Sequence, residues 1–185
     1  HLHSGNWVFI QDFPNIYRQK IKTKYERMIS KAEKEIIIET PYFLPGRNLR
    51  KLLSEASQRG VTTIVVSPLH SDVKFVDIIR RHYLGQLHQS GVKFYFYNQS
   101  NLHSKGVMID NNLFSISSAN FDYRSFRYQY ELALIGSEQS LIKPLREHFD
   151  STLKNCTSFN YQEWKKRSFI QRISEIILLP FRYLF

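Results

Sequence analysis

The sequence predicts an α/β/α sandwich built on a mixed, largely parallel sheet. Helical and strand-like segments alternate as αβαβαβ over residues 16–97, the order that places parallel strands between two layers of helices. Residues 61–66 form a continuous run rich in β-branched side chains, as in a strand covered on both faces. Beyond Tyr97 three more strand-like runs follow, two of them joined by turn residues, which adds antiparallel pairs.

Residues 1–15 show no clear period and read as a lead-in or linker. Ile21, Tyr25, Met28, Ile29 and Ala32 recur at helical spacing, with Lys22, Lys24 and Arg27 between them. Residues 35–39, Glu-Ile-Ile-Ile-Glu, then read as a strand, closed by Pro41 and by Pro45-Gly46. Leu49, Leu52, Leu53 and Ala56 define a second helix that stops at Gly60. The strand at 61–66 leads to a helix through Val73, Val76, Ile79, Tyr83 and Leu87, which stops at Gly91. Residues 92–97 give a third strand. Further strands are expected at 105–110, 113–116 and 131–135, with Asn111-Asn112 turning the first two into a hairpin. Leu141, Ile142, Leu145, Phe149 and Leu153 close a domain placed at residues 16–160.

The tail, residues 161–185, is different in kind. Phe169, Ile173, Ile176 and Ile177 share a helical face, flanked by Lys165, Lys166, Arg167 and Arg172. That is the pattern of a helix lying on an anionic membrane, or of one packing back onto its own domain. Pro180 is expected to end or kink it, leaving Phe181, Tyr183, Leu184 and Phe185 as an aromatic end.

The 185 residues fit one domain, two at most. With 42% apolar and 23% charged residues, disordered and collagen-like classes are excluded. The single cysteine, Cys156, excludes an intramolecular disulfide and a cysteine-rich zinc site. Lys and Arg number 26 against 16 Asp and Glu, a net charge of +10. Such a surface attracts nucleic acid, anionic lipid or phosphorylated substrates. No apolar stretch is long enough to span a bilayer. The chain starts at His1 with no signal segment, so a processed product or part of a longer chain is expected.

One segment carries chemistry. His103-Ser-Lys105-Gly-Val-Met-Ile-Asp110 is followed by Ser117-Ser118-Ala-Asn120. Side chains two apart on a strand point the same way, so His103 and Lys105 project together. An imidazole can attack phosphorus or pass a proton. An ammonium beside it can hold a phosphate oxygen as charge develops. Ser118 and Asn120 can add hydrogen bonds to the same oxygens. No carboxylate pair and no His or Cys cluster has metal-ligand spacing, so neither metal nor cofactor is expected. Asp110 stands in the catalytic set by its place in the motif, with a structural part as turn or ion-pair partner expected to outweigh chemistry. His1, His3, His70, His82, His88 and His148 have no motif and are expected at the surface or in packing. The Arg80-Arg81-His82 run reads as a solvated helix face.

His103, Lys105, Asp110, Ser118 and Asn120 together resemble the His-x-Lys-x4-Asp and Gly-Ser-x-Asn signature of the phospholipase D superfamily. Ser117 stands where that family usually has glycine. The segments Glu39-Thr-Pro-Tyr-Phe-Leu-Pro, Gly91-Val-Lys-Phe-Tyr and Ser118-Ala-Asn-Phe-Asp-Tyr-Arg-Ser are similar to the second catalytic half of bacterial cardiolipin synthases, over residues 16–153. The resemblance implies that Glu131 hydrogen-bonds the catalytic imidazole. It also implies a second His-x-Lys half, upstream in a parent chain or in a homodimer partner, with one histidine becoming a phosphohistidine. The implied activity is phosphatidyl transfer making cardiolipin, or phospholipid hydrolysis, by a protein peripheral to the cytoplasmic face of a bacterial inner membrane. Two alternatives stand: an endonuclease of the same superfamily acting as a homodimer on DNA, and an inactive module that binds anionic membranes.

Overall fold

The computed structural model describes residues 2–4, 6–99 and 102–184. The first half of the chain runs β1 (Leu2–Ser4), β2 (Trp7–Asp12), α1 (Lys20–Ser30), β3 (Glu35–Glu39), α2 (Arg47–Gln58), β4 (Thr62–Pro68), α3 (Lys74–Gln89) and β5 (Lys93–Tyr97). The second runs β6 (Gly106–Ile109), β7 (Leu113–Ser117), α4 (Tyr123–Tyr128), β8 (Glu131–Gly136), α5 (Gln139–Lys154), β9 (Cys156–Ser158), α6 (Tyr161–Lys165) and α7 (Phe169–Leu178). A 3₁₀ stretch, Leu179–Leu184, follows. The strands form one sheet in the order β1-β2-β8-β7-β6-β3-β4-β5-β9.

The sheet is mixed, as the sequence predicts, but its parallel part is smaller than expected. Only β3–β4 and β4–β5 pair in parallel; the other pairs among the described residues are antiparallel. The reason is connectivity. Helical crossovers link β3, β4 and β5, whereas β6 to β7 is a tight hairpin and β8 returns beside β7.

Part of the stretch expected as a lead-in, residues 1–15, belongs to the sheet. Within them β2 pairs along its whole length with β8, from Trp7 opposite Gly136 to Asp12 opposite Glu131. The Asp12 carboxylate then accepts the backbone N–H groups of Lys20 and Ile21, which start α1. His1, the side chain of His3 and Phe185 lie outside the described residues.

Strand alternation divides the core between two faces. Ile36, Ile38, Val65, Val107, Ile109, Ala133 and Ile135 pack in one cluster with Ile21, Tyr25, Leu49, Leu53, Val76 and Tyr83 from α1, α2 and α3. Ile37, Met108 and Phe114 face the other way and meet Ile142 and Phe149 of α5. Gly60 and Gly91 follow α2 and α3 with φ of +91° and +98°, the left-handed turn for which glycine carries no steric penalty. The β6–β7 turn sits one residue earlier than expected: Asp110 and Asn111 take positive φ, 54° and 51°. Both residue types tolerate that region because a short polar side chain can bond locally.

Arg80 is not on a solvated face. It is 4% exposed. It donates to the carbonyls of Pro68 (2.9 Å) and Leu69 (3.2 Å) and pairs with Asp77 at 2.9 Å. Asp77 also accepts the Ser71 N–H. Together they fix the loop between β4 and α3.

The start of the tail docks on α3. The Trp164 ring lies so close to Gly85 that a Cβ there would stand 2.0 Å from a ring carbon. Its Nε1 donates to the Arg81 carbonyl at 2.9 Å. α7 ends at Leu178 and the 3₁₀ stretch begins before Pro180, as a helix-ending proline requires.

Candidate active site

The motif residues meet at one end of the sheet, where β3 and β4 end, β7 ends, and β6 and β8 begin. β6 is antiparallel to β3, with Gly106 opposite Glu39. This places residues 103–105 beyond the carboxyl ends of the parallel strands, the usual ligand position in α/β sheets. His103 is exposed. The Lys105 Nζ lies 3.1 Å from His103 Nδ1 and donates to the His103 carbonyl at 2.7 Å. An ammonium only donates, so Nδ1 is the acceptor in this contact. Burial pulls the Lys105 pKa below the ordinary lysine range, against the opposing pull of Glu131, Asp122 and Asp72.

Ser118 follows β7 and Glu131 opens β8 at the same end of the sheet. The Ser118 hydroxyl donates to the Glu131 carboxylate and accepts the Leu132 N–H at 3.0 Å. Its own N–H donates to the Leu132 carbonyl at 2.9 Å. Glu131 thus takes its hydrogen bond from Ser118, not from His103, whose Nδ1 is turned to Lys105. The Asn120 N–H donates to Ser125 Oγ at 3.1 Å, and its buried Oδ1 has no partner. Ser117 tolerates the position where glycine is usual because its φ is not positive. Its Oγ accepts from the Tyr25 hydroxyl at 2.9 Å.

Asp110 does not belong to this site. It follows β6, at the end of the strand away from His103. Its carboxylate accepts the N–H groups of Glu33 (3.0 Å), Lys34 (2.7 Å) and Glu35 (2.8 Å). Partial burial raises its pKa, but those three amides outweigh it and hold the carboxyl below the ordinary range.

Several neighbours lie outside the His-x-Lys motif. Asp122 is 2% exposed and caps α4, accepting the Ser125 N–H at 2.7 Å. Burial pushes its carboxyl upward, against hydrogen bonds from Ser125 and Asn120. An aspartate three residues before a serine was the available cue. Asp72 accepts the Tyr42 hydroxyl. With His70, Ser71, Pro41, Pro68 and Leu102 it lines a concavity of about 50 Å³ beside His103. On the other face of the sheet, Glu39 is fully buried. Its Oε1 accepts from Ser104 and lies 2.8 Å from His148 Nε2, while Oε2 has no partner. Burial and Glu39 together push the Cys156 thiol up to about 11.

An exposed imidazole with a cation beside it can bind and transfer a phosphoryl group, and the Ser118 hydroxyl can join them by exchanging Glu131 for a phosphate oxygen. Among the described residues no group of three or more His, Cys, Asp or Glu side chains is placed to hold a metal ion.

Residues 25–153 match the family described as "Cardiolipin synthase, PLD-like domain". The chain belongs to that phospholipase D-like family. The cardiolipin synthase of Clostridium perfringens (strain SM101) is 34% identical over 165 residues, covering 89% of this chain and 35% of that protein. The major cardiolipin synthase ClsA of Bacillus subtilis is 32% identical over 164 residues, covering 89% and 34%. The chain therefore spans about a third of the length of these relatives. Among solved structures, a phosphatidylserine synthase of Haemophilus influenzae superposes with a TM-score of 0.73 at 13% identity, over 96% of this chain and 45% of that one. The phospholipase D family member Nuc of Salmonella typhimurium gives 0.69 at 18% identity, over 83% and 99%. These two establish the phospholipase D-like fold and nothing further.

Proposed function

We propose that this chain is one catalytic half of a phosphatidyltransferase that makes cardiolipin, working on phospholipid phosphodiesters. The observation that carries the reading is His103, exposed and next to Lys105, at the same end of the sheet as Ser118 and Asn120, in a chain 32–34% identical to proteins named cardiolipin synthase. His103 and a histidine from a second His-x-Lys half act as a pair. One imidazole, its Nδ1 released from the lysine and carrying the ring proton, attacks phosphorus through the free lone pair of Nε2 and forms a P–N bond as the P–O bond to the first alcohol breaks. The other histidine gives that alkoxide its proton. It then takes the proton of the incoming hydroxyl, whose oxygen displaces the nitrogen. A lipid glycerol hydroxyl gives transfer and water gives hydrolysis. Lys105, Ser118 and Asn120 hold the phosphate oxygens. Glu131 positions Ser118 and favours the Lys105 charge. The partners are the second half, the phospholipid and an anionic membrane surface, with the protein peripheral to the cytoplasmic face of a bacterial membrane. No helix among the described residues is long and apolar enough to cross a membrane.

A homodimeric nuclease would also use a charge of +10, but the relatives at 32–34% identity do not favour it. The intact His103, Lys105, Asn120 and Glu131 speak against an inactive module. The test grafts residues 1–185 in place of the matching third of the Bacillus subtilis relative, in cells that lack cardiolipin. Cardiolipin should return, disappear with His103→Ala, and persist in extracts after exhaustive chelation, since Lys105 stands where metallo-phosphodiesterases place an ion. A folded graft that makes no cardiolipin but cuts DNA would replace this reading with the nuclease.

A further inference from the structure

α7 is docked the wrong way round for a helix whose job is to complete a core. At 100° per residue, Phe169, Ile170, Ile173, Ile176 and Ile177 occupy about a third of its circumference. They are 76%, 78%, 37%, 62% and 61% exposed. The side turned inward carries Glu175, which is 1% exposed and paired with Arg167 at 2.9 Å, and Leu178, which packs against the main core. The Arg167 guanidinium lies 3.5 Å from the centroid of the Trp164 ring, and Trp164 is the side chain seated on Gly85 of α3. The polar clamp, with Leu178 and Leu179 on the core, thus holds the helix to the domain and leaves its wider apolar face outside. Phe181 and Leu184, 50% and 64% exposed, extend that surface. Tyr183 does not join them fully, because its ring packs edge-on to Tyr123 at 4.7 Å.

The charges around this face have one sign. Between Trp164 and Leu184 the only acidic residue is Glu175, already buried and neutralised. Lys165, Lys166 and Arg172 are exposed and Arg182 is half-buried. An apolar strip in a segment, residues 164–184, whose exposed charges are all cations fits a surface that is oily inside and negative outside.

We infer that α7 and the 3₁₀ stretch after it form a fixed foot that seats this domain on an anionic bilayer. The Glu175–Arg167–Trp164 clamp sets the angle at which the domain stands. The inference deepens the phospholipid reading by naming the contact surface, and its test uses no catalysis, so the two can fail separately.

The experiment is flotation of the 185-residue chain with vesicles of phosphatidylcholine alone and of equal parts phosphatidylcholine and phosphatidylglycerol. Sedimentation and thermal melting are recorded alongside. The chain should float with the anionic vesicles and much less with the neutral ones. Ile170→Glu with Ile177→Glu should weaken that binding by roughly tenfold or more at an unchanged melting temperature. Should the double variant melt lower, Phe169→Gln, which alters only an exposed ring, repeats the comparison and should also weaken binding. Binding as strong in these variants as in the parent chain would overturn the inference. So would a concentration-dependent dimer that the variants dissociate while no protein floats, since the face would then join two copies.

Discussion

The two ends of β6 come from one motif and live in opposite conditions. At the near end, His103 is exposed beside Lys105, and Asn120 keeps a buried carbonyl without a partner among the described residues. At the far end, Asp110 has three backbone amides on its carboxylate and sits in a positive-φ turn. Unspent hydrogen-bonding capacity marks the end where a ligand can bind; saturation marks the end that holds the sheet. A motif read as one functional string is thus an exposed tip joined to an anchor through a buried strand.

Substitutions at the two ends should separate activity from stability. The largest effect belongs to His103→Ala in the grafted enzyme, where turnover should fall by a factor of about a thousand or more. Melting should not change, because the ring is exposed. More than a few per cent of parental cardiolipin would remove His103 from the chemistry.

Asp110→Ala should do the reverse. Three amides lose their acceptor, for a loss of about 1–3 kcal/mol in urea unfolding, with turnover per folded molecule intact. The pH dependence follows from the depressed Asp110 pKa. The carboxylate stabilises the fold above its unfolded pKa, and that contribution is lost as pH falls through the folded value. Asp110→Asn should therefore flatten part of the acid limb of the stability curve. An acid limb identical to the parent's would show that other carboxylates set it.

Between the ends lies a smaller test. Ser104 points to the opposite face from His103 and donates to buried Glu39. Ser104→Ala should cost less than roughly tenfold in turnover and speed amide exchange at residues 104–105. Unchanged exchange would mean that Glu39 does not steady the reactive tip. The smallest effect is electrostatic. Glu131→Gln removes a charge that raises the Lys105 pKa, so that pKa, followed by NMR at Nζ, should drop further. A rise would mean that Glu131 does not act on Lys105 as a charge.

The same contrast explains what the sequence could reveal. α1, α2 and α3 bury one stripe each, and β3 and β4 lie under helices, so periodicity and β-branched runs show them. β2 reads Trp-Val-Phe-Ile-Gln-Asp, apolar on both faces at first and polar at its end, with no period to detect. In the site, His103, Lys105, Ser118 and Asn120 follow one another at fixed spacing and are visible as a string. Asp72 and His70 come from the β4–α3 loop, held by the buried Arg80. Only folding brings them beside His103, and nothing local marks them. Glu39 ends a strand and would be expected in water; its full burial depends on α5, a distant segment that supplies His148.

The pairing of β2 with β8 has a consequence for how the molecule is put together. β2 comes early in the chain, yet its partner is made only after the other central strands exist. Until β2 closes onto it, β8 presents a bare row of backbone donors and acceptors, the kind of margin on which other chains add themselves. Closing it requires a long-range return, the slow kind of step in assembling a sheet. During synthesis, the interval before that return is when this chain is most exposed to joining a neighbour instead of itself.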